Sequence, residues 1–198
     1  MRRVAPDQRF PTLTPVGIAP VLSVIDDFAT SEECTDAMAL FGDEAWVTEH
    51  ANHYGWDGAS FAAEVDADHA PLLLALADRM EALAGEQSRL PRTWRFRWYD
   101  VGQGHPPHTD TYDFEGFRLM ITGLLFLQET EAGGETRFPA ALPEPLAVAP
   151  RTGRLILWRS TRSDGEEDPA SLHDGAAVIA GSKGVLLGFI YLPVEASG

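Results

Sequence analysis

His108-Thr109-Asp110 sets an imidazole and a carboxylate two residues apart, and His173 and Lys183 follow near the C-terminal end. Two imidazoles and one carboxylate can take one face of a divalent iron and leave the opposite positions open for oxygen and a further ligand. A lysine beside such a site offers a cation to an acid. These four side chains point to an oxidation driven by an acidic co-substrate.

The short motif is weak alone: six His and thirty Asp+Glu in 198 residues give about one His-x-Asp/Glu by chance. Its setting strengthens it. Thr93-Trp94-Arg95-Phe96-Arg97-Trp98-Tyr99 alternates and is rich in aromatics, which predicts a strand. Gly102-Gln103-Gly104 and Pro106-Pro107 predict a turn after it. On an extended chain His108 and Asp110, as i and i+2, share one face, as a single ion requires.

The elements that must carry these residues fit one domain over residues 1–198. Hydrophobic residues make up 44% and charged residues 23%, ordinary values for a globular chain. The net charge of −15 argues against nucleic acid and against anionic membrane surfaces as partners. Cys34 is the sole cysteine, so no internal disulfide can form, and it reads as a half-buried helical thiol rather than a nucleophile. No hydrophobic run reaches transmembrane length and the N-terminus lacks the apolar core of a signal peptide, so the cytoplasm is the expected compartment.

Residues 1–15 are expected to form a loose arm, residues 16–90 a strand with supporting helices, and residues 91–194 a jelly-roll core. Residues 21–26 read as a strand, and residues 31–41 as a helix with Ser31 as N-cap and Glu32-Glu33 in its first turn. Residues 50–60 read as a surface or lid loop. His50, His53 and Asp57 are metal-ligand types, but Gly55 and Gly58 deny them a fixed face. Leu72, Leu76, Met80 and Leu83 predict a helix over 71–85. From Thr93 on, strands are expected at 93–99, 119–127, 135–138, 154–159, 176–180 and 185–192. Many short strands after two helices predict a mainly β, α+β fold: a double-stranded β-helix (jelly roll) with the N-terminal helices on one side.

Several ordered pieces then carry a family likeness. Arg97 to Asp110 is followed by Gly133-Gly134-Glu135-Thr136-Arg137-Phe138-Pro139. Next come Val148-Ala149-Pro150-Arg151-Thr152-Gly153 and Leu157-Trp158, then His173 and, after Gly181-Ser182, Lys183. In this the chain resembles the 2-oxoglutarate- and Fe(II)-dependent dioxygenases, in their prolyl 4-hydroxylase-like branch. The opening Pro20 to Phe28, with Glu33-Cys34, resembles that family's start.

The resemblance implies that His108, Asp110 and His173 bind Fe(II), and that Lys183 pairs with the distal carboxylate of 2-oxoglutarate. It places Tyr99 and Thr122 among the co-substrate contacts. Oxygen is the second co-substrate and ascorbate a candidate reductant. The implied reaction hydroxylates an unactivated C–H and releases succinate and carbon dioxide. With Asp110 as a ligand no iron position is left for chloride, which favours hydroxylation over halogenation. Desaturation or ring formation would follow from the same chemistry.

The chain departs from the family pattern at four positions. Phe126 stands where a Tyr is frequent, Gly184 and Phe189 where Trp is common, and Arg118 one position off the family's strand arginine, which a β-bulge would restore. These changes leave the iron ligands intact and fall on the substrate side. The substrate-side candidates are Arg118, Tyr112, Trp158 and Phe189, with His105, Asp113 and Arg159. The acidic loop Asp164-Gly165-Glu166-Glu167-Asp168 reads as solvated, or as an attractor of basic substrates. An amino-acid-type substrate is expected, prolyl or another residue, free, carrier-bound or in a peptide. The rival functions are a non-catalytic β-sandwich binding or regulatory module and a cupin-type metalloenzyme that does not use 2-oxoglutarate. The sequence leaves the oligomeric state open.

Overall fold

Alternation along the strands sorts this chain into two cores, because successive side chains leave a strand on opposite faces. The computed structural model describes residues 14–15, 19–50, 52–53, 58–162 and 165–194. In chain order these form β1 (Thr14–Pro15), β2 (Leu22–Ile25), α1 (Ser31–Gly42), α2 (Glu44–His50), β3 (Asn52–His53), β4 (Phe61–Asp66), α3 (Pro71–Ala84) and β5 (Thr93–Tyr99). Next come β6 (His105–His108), β7 (Asp113–Phe114), β8 (Phe117–Gln128), β9 (Ala132–Gly133), β10 (Thr136–Phe138) and β11 (Leu146–Val148). The last are β12 (Leu155–Arg159), β13 (His173–Gly175), β14 (Val178–Ala180) and β15 (Lys183–Pro193).

The larger sheet runs β1-β2-β12-β8-β15-β5-β4-β3, with β7 added beside β8, and the smaller runs β11-β10-β13-β6. Strands β9 and β14 pair separately, and every pairing is antiparallel. One face of the large sheet carries Trp94, Phe96, Ile121, Leu125, Leu155, Leu157, Leu186 and Ile190, which pack against α1 and α3. The other carries Tyr99, Leu124, Phe126, Ile156, Trp158, Val185, Leu187 and Phe189, which pack against Phe138 and Val148 of the small sheet. The protein is therefore mainly β, as expected, with two antiparallel sheets facing each other over a shared core.

Helix α3 approaches the sheet closely because glycine lies beneath it. A Cβ at Gly123 would come within 2.4 Å of Met80 Sδ, and one at Gly188 within 3.0 Å of it. Trp94 adds a specific tie, its Nε1 donating to the Leu73 carbonyl at 2.9 Å. Helix α3 begins with Pro71 and ends at Gly85, whose φ of 69° is the left-handed C-cap geometry that glycine adopts freely.

Several local expectations need correction. Thr30, not Ser31, caps α1: Glu33 N–H donates to Thr30 Oγ1 at 3.1 Å and Thr30 N–H to the Glu33 carboxylate at 2.8 Å, a capping box. The helix α2 and the strands β1, β3, β4, β6, β7, β9, β11 and β13 are additional to those expected. The segment 176–180 is β14 alone, with Ala176 and Ala177 outside it. Pro106 and Pro107 lie in β6 rather than in a turn, which a strand at the edge of the small sheet tolerates. The expected arm is described only at Thr14–Pro15, which pairs with β2. Of the 50–60 loop, the side chains of His50, His53 and Asp57 lie outside the described residues. Among the described residues no helix is long and apolar enough to cross a membrane.

Candidate metal centre

His108 ends β6, and the antiparallel register with β13 sets His173 directly across from it, with ring centroids 4.2 Å apart. Asp110 lies two residues past the end of β6, buried, so strand alternation does not aim it. The chain beyond the strand turns its carboxylate back instead. Asp110 Oδ1 lies 3.4 Å from His108 Nε2, and Oδ2 lies 3.6 Å from His173 Nε2.

Both imidazoles are fixed from behind. His108 Nδ1 donates to the Pro106 carbonyl at 3.0 Å and His173 Nδ1 to the Ser171 carbonyl at 2.9 Å. Protonation at Nδ1 leaves each Nε2 with a lone pair pointed at the carboxylate, the arrangement that metal-bound histidines need. Burial lowers the His173 pKa and so favours the neutral ring. Burial alone would raise the Asp110 pKa, but the two histidines beside it and the hydrogen bond from Thr122 hold it below the usual carboxylate range. Two neutral nitrogen donors and one carboxylate, all within 4.8 Å of one another, fit a divalent cation such as Fe(II). A second group, Asp66, Asp68 and His69, is wholly exposed and reads as solvated charge.

The next layer holds these ligands in place. Thr122 Oγ1 donates to Asp110 Oδ2 at 2.8 Å, with both residues buried. Trp158 stands edge-on to the His173 ring at 4.8 Å, and Phe138 lies 5.7 Å from it. Trp158 is 1% exposed. Thr122 therefore contacts a ligand carboxylate rather than standing free for a co-substrate, and Trp158 packs on a ligand rather than facing substrate.

Lys183 opens β15 opposite Tyr99 of β5 and is 3% exposed. Its Nζ donates to the Gly134 carbonyl at 3.1 Å and lies 4.6 Å from the Tyr99 ring centroid. Gly134 presents that carbonyl from a turn at φ 79°, a conformation favouring glycine. Burial pushes the Lys183 pKa down to about 8. Among the described residues no carboxylate forms an ion pair with it, so an anionic ligand would complete its environment.

The other expected substrate-side residues are dispersed. A bulge in β8 pairs Tyr191 with Leu119 and Leu192 with Arg118, which turns Arg118 towards the helix side with Leu192 instead of restoring it to the inner face. Its guanidinium forks onto Asp113 at 2.6 and 2.7 Å and donates to the Gly165 carbonyl at 2.8 Å. Tyr112 is 43% exposed, and Asp110 and Arg97 both act on its hydroxyl, which puts it at the rim of the site. Phe189 lies on the inner face beneath the Arg95 guanidinium at 4.8 Å. The His105 ring lies tilted against that of His108, 4.3 Å between centroids, and burial lowers its pKa to about 4. Phe126 is fully buried in the inter-sheet core, and at Gly184 the Trp98 ring fills the space a side chain would need. Asp168 of the acidic loop accepts from Ala170 N–H at 3.0 Å and caps a short 3₁₀ turn, Pro169–Ser171. Asp164 lies outside the described residues, and Arg159, half-buried, ends β12. The residues not anticipated are Arg95 and Arg97, although their alternation with Trp94, Phe96 and Trp98 already sets them on the face of Tyr99.

Comparison with known proteins agrees with this geometry. Residues 94–191 match the 2OG-Fe(II) oxygenase superfamily. Probable prolyl 4-hydroxylase 3 of Arabidopsis thaliana is 39% identical over 106 residues, covering 43% of this chain and 37% of that relative. The chain thus spans little more than a third of that relative's length. Prolyl 4-hydroxylase 1 of the same plant is 26% identical over 195 residues, covering 85% of this chain and 68% of the relative. A viral collagen prolyl hydroxylase from Paramecium bursaria Chlorella virus 1, solved with 2-oxoglutarate, shares the fold. Its TM-score is 0.67 at 18% identity, over 86% of this chain and 95% of that one. Residues 94–191 thus belong to the 2OG-Fe(II) oxygenase superfamily, and the chain is prolyl 4-hydroxylase-like in sequence.

Proposed function

We propose that the chain is an Fe(II)- and 2-oxoglutarate-dependent dioxygenase that hydroxylates an unactivated C–H of an amino-acid-type substrate, prolyl or related. The observation that carries this reading is a pair. Three ligand side chains converge with both imidazole Nε2 atoms turned inward, and a buried lysine stands on the same inner face with no described carboxylate in an ion pair with it. A binding scaffold has no use for either feature, and a metalloenzyme without 2-oxoglutarate has no use for the second. The two facing sheets are read as the double-stranded β-helix, or jelly roll, of this superfamily.

In this reading His108, Asp110 and His173 hold the iron. Fe(II) held there would supply the oxidation, in which oxygen and 2-oxoglutarate would give succinate, carbon dioxide and a hydroxylated substrate C–H. Lys183 binds the distal carboxylate of 2-oxoglutarate, and the Tyr99 ring and Gly134 carbonyl keep its ammonium in place. Thr122 orients Asp110 through its 2.8 Å hydrogen bond. Trp158 and Phe138 brace His173 and keep water from its buried side. The Pro106 and Ser171 carbonyls hold the protons at Nδ1 of His108 and His173.

The test is succinate release. Protein loaded with Fe(II) under nitrogen is exposed to air and 2-oxoglutarate, with and without a panel of amino acids and prolyl peptides. The expected result is succinate formation that one panel member stimulates. No succinate, together with no calorimetric binding of Fe(II) or 2-oxoglutarate, would overturn the reading.

A further inference from the structure

Beyond the C-terminal end of α3 the helix-side core of the large sheet stops. A cavity of about 1010 Å³ opens there, at the upper end of the size range of small-molecule sites. Ser23 of β2, Ile121 of β8, and Leu157 and Arg159 of β12 line its floor. The register explains why they share a face. Leu157 pairs with Ser23 and Arg159 with Ile121, whereas Ile156 and Trp158, one residue off, enter the inter-sheet core. Ala84 at the end of α3 forms one wall and Pro169 another. Arg159 is half-buried, and among the described residues its guanidinium makes no hydrogen bond, ion pair or ring contact. The other charged groups on the walls do not meet it. Asp168 accepts from Ala170 N–H at 3.0 Å, Arg162 has a partner of its own, and Glu86, just past the α3 cap, forms no ion pair with Arg159.

We infer that this cavity is a second ligand site, for a small monocarboxylate with an apolar body, and that Arg159 binds its carboxylate. A planar guanidinium fork matches a carboxylate with two parallel hydrogen bonds. Leu157, Ile121, Ala84 and Pro169 take the hydrocarbon part out of water. A dicarboxylate fits poorly, because its second charge would rest on those apolar walls or near Glu86. The site lies on the face of the sheet opposite the metal ligands and Lys183, so the acid and 2-oxoglutarate do not compete for space. It stands apart from the chemistry proposed for the metal centre and does not rest on it.

The experiment titrates butyrate, hexanoate and octanoate, with octanamide as the neutral control, into iron-loaded protein under nitrogen, with and without saturating 2-oxoglutarate. Calorimetry is expected to show saturable octanoate binding in both conditions. Affinity rises by about 4-fold per added methylene along the series, as burial of hydrocarbon requires. Octanamide binds about 10-fold more weakly or worse, the discrimination of a charge-assisted pair. Arg159→Gln weakens octanoate by about 10-fold and brings it level with the amide. Arg159→Lys keeps part of the affinity, since charge survives without the fork. Lys183→Met leaves octanoate binding unchanged. Octanoate binding that disappears with 2-oxoglutarate or in Lys183→Met would place the acid in the metal site and overturn the inference. Octanamide matching octanoate would also overturn it, as would the absence of saturable octanoate binding or full binding in Arg159→Gln. The acid–amide gap is read on the unmodified protein, so misfolding of a variant cannot mask the result.

Discussion

On β5 the side chains of Trp94, Phe96 and Trp98 enter the helix-side core, while those of Arg95, Arg97 and Tyr99, each one residue away, enter the site. Strand β15 repeats the division, with Leu186 and Ile190 on one face and Lys183, Val185 and Phe189 on the other. Both faces are buried, yet burial means different things on each. Leu186 gains by leaving water. Lys183, Arg97 and Asp110 lose by it unless something of opposite charge meets them. The helix face is therefore complete in the chain as it stands, whereas the site face reaches its best energy only with a cation among the ligands and an anion on the lysine.

That contrast can be broken at graded strength. The largest effect belongs to His108→Ala, which removes a ligand that is partly exposed. Turnover is expected to fall by more than the ~10–100-fold typical of outer-shell changes, with little loss of thermal stability. Full activity in that variant would contradict the assignment. On the opposite face, Leu186→Ala should cost about 2–5 kcal/mol in chemical denaturation. Its affinity for 2-oxoglutarate should stay near that of the parent at temperatures where it is folded. Lys183→Met should invert this pattern, raising the 2-oxoglutarate Kd by ~10–100-fold while the metal-free, ligand-free protein becomes more stable at pH 7. A smaller effect is expected of Thr122→Val, about 10-fold in Fe(II) affinity, with Thr122→Ser restoring most of it.

A pH series sharpens the same point. Burial holds the Lys183 pKa down to about 8, from an ordinary 10.5. Between those values the unfolded chain carries the proton and the folded chain does not, so stability of the ligand-free protein rises as pH climbs through that window. Binding of 2-oxoglutarate, which needs the ammonium, should weaken over the same window. Denaturation midpoints and calorimetry at pH 7, 8 and 9 would read both, and Lys183→Met should flatten both trends.

How much of this was legible in the sequence follows from what each feature depends on. His108, Asp110, His173 and Lys183 could be read because their residue types and spacing are the signal. Residues 93–99 could be read because aromatics alternate there without interruption. The strand β4, Phe61-Ala62-Ala63-Glu64-Val65-Asp66, could not, since two alanines blunt its alternation and its strand character comes from pairing with β5. Thr122 and Trp158 face one another across β8 and β12, and only that register shows that one bonds Asp110 and the other packs on His173. Arg118 turned on a single inserted residue in β8, a bulge that composition does not reveal. Asp110 converged on the histidines by a bend beyond β6 rather than by strand alternation, so the expected proximity arose for a different physical reason.

The most direct test of the two-faced account is a calorimetric titration of 2-oxoglutarate into Fe(II)-loaded protein under nitrogen, run on the parent, Lys183→Met and Leu186→Ala. The account predicts saturable binding to the parent, near-parental binding to Leu186→Ala, and binding to Lys183→Met weakened by ~10–100-fold. Equal affinity in the parent and Lys183→Met would contradict it, because the buried ammonium would then have no anion to serve.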